Sequence, residues 1–287
     1  MKRSAIYVAV FSAVLVGIAI IGFSKVSKAN EQMVEASKHY RITETWELPK
    51  ELEEISGITW LGNNTLACIQ DEDGIVYIYN LDQKSIVEEI PFAGNGDYEG
   101  IALNGDTLYV MQSDGLLYEI KNWNDANRVV SSHQTGFKSS NNMESLTYSS
   151  NDAALLTVPK DKDSQEDYKG VYKISLPIKN LDTDSPAYKI DMNSDVLAPY
   201  REKKARKTFF PSEIAIHPKS HDMYILEGKH PKLLIMDSAG TAKSVYKLDE
   251  VNFPQPEGMT FNENGDLYIS NESVGGAANI HLVELNN

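Results

Sequence analysis

Glu99, Glu144, Glu213 and Glu257 each head a five-residue phrase of one design: Glu99-Gly100-Ile101-Ala102-Leu103, Glu144-Ser145-Leu146-Thr147-Tyr148, Glu213-Ile214-Ala215-Ile216-His217 and Glu257-Gly258-Met259-Thr260-Phe261. A fifth copy, Ser56-Gly57-Ile58-Thr59-Trp60, carries serine in the leading place. Carboxylates at equivalent points of a repeat converge when the repeats are set around an axis, and converging carboxylates repel. Such a group is stable if some members are protonated, if donors pair with them, or if they hold a cation. No His or Cys belongs to the set, and all-oxygen ligands suit calcium or magnesium better than zinc, copper or iron. The competing reading is that each glutamate accepts backbone N–H bonds from the neighbouring unit and stitches the repeats together.

The phrases are spaced 43, 45, 69 and 44 residues apart. Each precedes a polar turn and a β-rich run: Thr65 to Gln70, Thr107 to Gln112, Ala154 to Val158, Asp222 to Leu226 and Asp266 to Ser270. Third runs follow, such as Ile75 to Tyr79 after Asp73-Gly74 and Leu116 to Ile120 after Asp114-Gly115. Fourth runs are legible at Ser85 to Ile90, Arg128 to Gln134, Ala187 to Asp191 and Lys243 to Leu248. Four short strands per unit of about 40 to 45 residues predict an all-β fold, a five-bladed β-propeller. The fifth unit ends after Asn279 to Leu285, one strand short, and Arg41 to Leu48 is predicted to supply that outer strand and close the ring.

In an up-and-down blade the inner strand starts on the face where the second strand ends. One mouth therefore collects Glu99, Glu144, Glu213 and Glu257, with Ser56 in the first blade, and around them Gln70, Asp71, Gln112, Ser113, Lys160, Glu227, Asn271 and Glu272. The longest interval brings Arg201, Lys203, Lys204, Arg206 and Lys207 to the same face. That run is read as a solvated loop, with the sharper alternative that it folds over the acidic mouth. The acidic loop Asp161 to Asp167 is read as solvated. No histidine has a partner at ligand spacing, and neither a Gly-x-Ser-x-Gly elbow nor a phosphate loop is present. No nucleophile and base pair can be nominated.

The elements that carry this site are themselves preceded by an apolar run. Ser4 to Ser24 is 21 residues without a charge, long enough to span a bilayer. Residues 1–29 are read as a transmembrane anchor rather than a cleaved signal ending at Ser27-Lys28-Ala29, residues 30–39 as a linker, and 40–287 as the propeller. The expected location is the cell membrane, single-pass, with the propeller on the extracytoplasmic side. The formal net charge is −14, and every charged residue among the first 29 is basic, so the remainder is more acidic still. Such a surface repels phosphate backbones, which argues against nucleic-acid binding. The single cysteine, Cys68, excludes an internal disulfide and reads as core.

The phrases Glu54 to Trp60, Asp71 to Gly74, Asp97-Tyr98-Glu99-Gly100, Asn141-Asn142-Met143-Glu144, Phe210-Pro211-Ser212-Glu213 and Phe253 to Gly258 together resemble the bacterial SdiA-regulated (YjiK-like) family. The resemblance covers almost all of residues 40–287 and implies an anchored five-bladed propeller, distantly similar to NHL-repeat propellers, with Ca2+ as the associated ion. It implies Glu99, Glu144 and Glu257 as matching positions. Glu213 follows the long insertion and lacks the glycine found after Glu99 and Glu257. Three functions are carried forward: a cell-envelope propeller whose mouth holds calcium through the four glutamates and faces a ligand or protein partner; a calcium-dependent lactone or phosphoester hydrolase, with Glu227, Glu272 or Lys160 as base; and an assembly scaffold. The family adds no reaction.

Overall fold

The computed structural model describes residues 38–177 and 185–286. Its strands in chain order are β1 (Tyr40–Glu47), β2 (Ile55–Gly62), β3 (Thr65–Gln70), β4 (Ile75–Asn80), β5 (Ser85–Pro91), β6 (Tyr98–Asn104), β7 (Thr107–Gln112), β8 (Leu116–Lys121), β9 (Val129–Gln134), β10 (Thr147–Ser149), β11 (Ala154–Thr157), β12 (Tyr168–Ser175), β13 (Tyr188–Asp191), β14 (Glu213–Ile216), β15 (Met223–Glu227), β16 (Lys232–Met236), β17 (Ala242–Lys247), β18 (Pro256–Phe261), β19 (Leu267–Asn271) and β20 (Asn279–Leu285). They form five four-stranded antiparallel sheets, four of them in simple sequence order and the fifth in the order β1-β20-β19-β18. The ring closes as expected: β1 lies on β20 from Tyr40 opposite Leu285 to Glu47 opposite Asn279.

Strand limits follow turn chemistry. Between β2 and β3, Gly62, Asn63 and Asn64 take φ of 97°, 50° and 53°, the left-handed region that Gly and Asn tolerate and a tight hairpin demands. Two second strands begin one residue later than the sequence predicts, because their leading aspartates finish the turn instead. Asp222 O accepts from His217 N at 2.9 Å, and Asp266 closes on Asn262 through backbone and side chain, with Asn262 Nδ2 donating to Asp266 Oδ2 at 2.7 Å.

Each blade is too thin to own a core, so the apolar faces meet between blades. Trp46, Tyr268 and Ile280 of the last blade pack on Leu66, Cys68 and Tyr79 of the first. Ile69, Val76 and Ile78 meet Tyr98, Ile101 and Val110 across the next seam, and comparable clusters fill the remaining three. Cys68 is fully buried, and burial pushes its thiol pKa up. The inner strands approach closely enough to require glycine: a Cβ on Gly100 would stand 2.8 Å from Leu146 N. No helix among the described residues is long and apolar enough to cross a membrane; the anchor expected at residues 1–29 lies outside the described residues.

Candidate functional site: the carboxylate mouth

The leading residues of the phrases stand at the starts of the inner strands, where the ladder is deliberately irregular. Pairing of β2 with β3 shifts between Ile55 and Gly57, of β6 with β7 between Tyr98 and Gly100, and of β18 with β19 between Pro256 and Met259. Ser56, Glu99 and the Glu257-Gly258 pair are the residues left out of register. A bulge re-aims the side chain it carries out of the regular alternation of the strand. In the third blade the inner strand is shorter than expected, because Ser145 replaces ladder bonds with its own: Val158 N donates to Ser145 Oγ at 2.9 Å, and Thr157 Oγ1 donates to Ser145 O at 2.7 Å. Glu144 is thereby freed from strand register. Glu213 alone sits in a regular ladder, opposite Leu226.

The four glutamates do not behave alike. Glu213 is 1% exposed, and its Oε1 accepts from Leu146 N of the neighbouring blade at 3.1 Å and from Ile214 N at 2.7 Å. Its Oε2 has no hydrogen-bond partner. Ser56 is a stitch of the same kind, its Oγ donating to Tyr98 O at 2.7 Å. Glu144 accepts from Asn142 Nδ2 at 2.8 Å on Oε1, and Lys160 Nζ lies 2.5 Å from Oε2. That second contact is an ion pair, and it pulls the Glu144 carboxyl down against the effect of burial. Lys160, expected at the rim, thus stands among the carboxylates.

Burial is the main cause that pushes all four carboxyl groups above the ordinary carboxylate range. Glu99 is raised further by Glu144, Asp97 and Glu257, and lowered by Lys160. Glu144 is pushed up to about 8 by burial, against the pull of Lys160. Glu257 rises by burial and is partly relieved by Lys160 and Gln255. Glu213 rises by burial against its two backbone N–H bonds, with Glu257 and Glu144 adding to the rise. At the edge, Glu272 is pushed up to about 8 by burial, then by Glu257, Asp71 and Glu54, and its Oε2 accepts from Gln255 Nε2 at 2.5 Å. Asp71 rises to about 6 through burial and the charges of Glu54 and Glu72.

The candidate ligand atoms are all oxygen, and the buried Glu213 Oε2, Asp71 Oδ1 and Asn271 Oδ1 have no hydrogen-bond partner. In chemistry this set fits a hard cation. In spacing it does not: among the described residues, no three His, Cys, Asp or Glu side chains are grouped so as to hold a metal.

Glu227 belongs to a separate arrangement that sequence reasoning missed. It is fully buried, accepts from Phe210 N at 3.2 Å, and pairs with Lys232, whose ammonium faces the rings of Tyr200 and Phe209. The basic run is largely exposed, and its Arg206 meets Glu166 of the acidic loop at 3.3 Å. Clefts elsewhere, of about 620 Å³ beside Tyr40, Asp249 and His281 and about 360 Å³ beside His217, Tyr224 and Phe261, do not touch these glutamates.

Fold and site together define an up-and-down five-bladed β-propeller whose axial mouth is lined with buried carboxylates. The chain belongs to the SdiA-regulated family, whose profile matches residues 30–274. No curated protein matches the sequence. Among solved structures the chain is similar to a glutaminyl cyclase from Myxococcus xanthus, with a TM-score of 0.62, 12% identity, and coverage of 86% of this chain and 96% of that one. It is also similar to a structural genomics protein of unknown function from Bacteroides thetaiotaomicron, with a TM-score of 0.52, 15% identity, and coverage of 86% and 76%. At these identities the likeness bears on the fold alone.

Proposed function

We propose that this propeller is an anchored cell-envelope protein whose mouth binds a divalent cation, calcium, through Glu99, Glu144, Glu213 and Glu257, and offers the surrounding face to a ligand or protein partner. The observation that carries this reading is the imbalance at the mouth: Glu99, Glu144, Glu213, Glu257 and Glu272 are held above the ordinary carboxylate range, chiefly by burial, and Lys160 is the cation whose charge acts on four of them. A cation entering such a site favours the charged carboxylates that burial disfavours. The hydrolase reading has less support, because each base considered for it is engaged: Glu227 with Lys232, Lys160 with Glu144, and Glu272 with Gln255. The cyclase's activity belongs to that neighbour and is not carried over.

The test is a thermal melt of the purified full-length protein with calcium and with chelator, alongside elemental analysis. Calcium at 100 times its dissociation constant is expected to add about 2.7 kcal/mol of stability, and Glu144→Gln should remove that response. A melting curve indifferent to chelator, with no copurifying metal, leaves the glutamates as stitches. The mass of the mature protein from the envelope checks the anchor, which fails if residues 1–29 are missing.

A further inference from the structure

We propose that Thr45 and His281 form a nucleophile and base pair, and that the cleft of about 620 Å³ they line is an acyl-transfer site for uncharged carboxylic esters. The inference is independent of the cation-binding reading, because this cleft does not touch the mouth glutamates. The two residues are 236 positions apart in the chain, and they become direct cross-strand partners only when β1 closes the ring on β20. The Thr45 hydroxyl then donates to His281 Nδ1 at 2.9 Å. The other ring nitrogen, Nε2, donates to Asn252 O at 3.0 Å, which leaves Nδ1 as the accepting atom. Asn252 is fixed in turn by Asp249: its backbone N donates to Asp249 Oδ1 at 2.8 Å and its Nδ2 to Asp249 Oδ2 at 2.9 Å, while Tyr40 Oη donates to the same carboxylate. Nucleophile, base and orienting acceptor thus stand in the series that activates a hydroxyl.

Exposure follows these roles. Thr45 is exposed, where a substrate approaches, while His281 and Asp249 are buried behind it. Burial also lowers the His281 pKa, so the imidazole is neutral at neutral pH, as a base must be. Arg41 and Asn252 line the same cleft and bring to its wall the N–H donors that a tetrahedral oxyanion needs. The net charge of −14 disfavours anionic phosphoesters, which leaves a neutral ester as the substrate class. In the first step Thr45 Oγ1 bonds to the ester carbonyl carbon while its proton passes to His281 Nδ1. The ester C–O bond then breaks, and the departing alkoxide takes that proton. Water next gives a proton to Nδ1 and attacks the acyl-threonine, and Thr45 Oγ1 recovers the proton as the carboxylic acid leaves.

The test uses the full-length protein with p-nitrophenyl acetate as the probe, read by p-nitrophenolate release and by peptide mass spectrometry of quenched protein. Wild type is expected to turn the ester over and to carry an acetyl group on Thr45. The rate should rise with pH through a midpoint below the ordinary 6.5 of histidine, because below that midpoint Nδ1 is protonated and cannot accept. Thr45→Val, which keeps the shape and loses the hydroxyl, should abolish both signals, and Thr45→Ser should keep them. His281→Gln should slow acetylation by about 10²–10⁴-fold. The site of acetylation in wild type needs no variant, and it decides the matter should Thr45→Val unfold. No reaction, acetyl groups confined to lysines, or turnover that survives Thr45→Val overturns the proposal. Equal rates in wild type and His281→Gln leave the pair without its base and overturn it as well.

Discussion

Replacing Glu213 separates its role as a stitch from its charge. One carboxylate oxygen accepts two backbone N–H bonds, one of them from the adjacent blade, while the other has no partner in a side chain that is 1% exposed. Glutamine keeps the accepting oxygen and removes the charge; alanine removes both. Burial raises this carboxyl well above its ordinary 4.5, so the native state binds its proton more tightly than the unfolded chain does. The associated stability is therefore full below pH 4.5 and is lost as pH rises through the raised native value. Each unit of elevation corresponds to about 1.4 kcal/mol. In chelator, urea denaturation of Glu213→Gln should match wild type near pH 5, exceed it at pH 8, and show a shallower pH slope. Glu213→Ala strands Leu146 N–H as well, and should be less stable than Glu213→Gln by about 1–3 kcal/mol at both pH values, a melting shift of about 2–4 °C for each kcal/mol. If glutamine costs as much as alanine at both pH values, or leaves the slope unchanged, the charge itself holds the blades together and the reasoning is wrong.

Ring closure can be tested by deleting Tyr40 to Leu48. The seven cross-strand pairs of β1 with β20 are each worth about 0.2–1 kcal/mol, and Trp46→Ala alone should cost about 3–5 kcal/mol; an unchanged melting temperature in either variant contradicts the closure. His281 Nε2 lies 3.0 Å from Asn252 O, a pure acceptor, so Nε2 carries the proton and Nδ1 accepts from Thr45 Oγ1 at 2.9 Å. Burial lowers its pKa below the ordinary 6.5, so its contribution to stability is present above pH 6.5 and declines as pH falls. An NMR titration placing the His281 midpoint at or above 6.5 would rule this out.

The inner strands were legible because Glu99-Gly100 and Glu257-Gly258 repeat one backbone requirement, a bulge beside a close inter-blade approach, and β1 because the last blade visibly lacked a strand. What was hidden depends on distances that sequence spacing does not encode. Lys160 and Glu144 lie 16 residues apart, and they meet only because Pro159 bridges Met143 and Lys169 clamps the loop. The Glu227–Lys232 pair was hidden for a different reason: its shelter comes from Tyr200 and Phe209, in the long insertion where the repeat gives no guidance. Asp222 and Asp266 lead β-rich runs in the sequence, and local turn bonds keep both out of the strands.

The closure of the ring also sets an order of events during synthesis. β1 is among the first parts of the propeller to be made, and its partner β20 is among the last. At about 5–20 residues per second, β1 waits roughly 10–50 s for that partner. Over that interval it is an unpaired edge of the sort that recruits other chains. Its exposed positions carry Arg41, Glu44 and Glu47, charges of the kind that guard such an edge. Those residues are therefore expected to matter more for yield of soluble protein than for the stability of the finished ring.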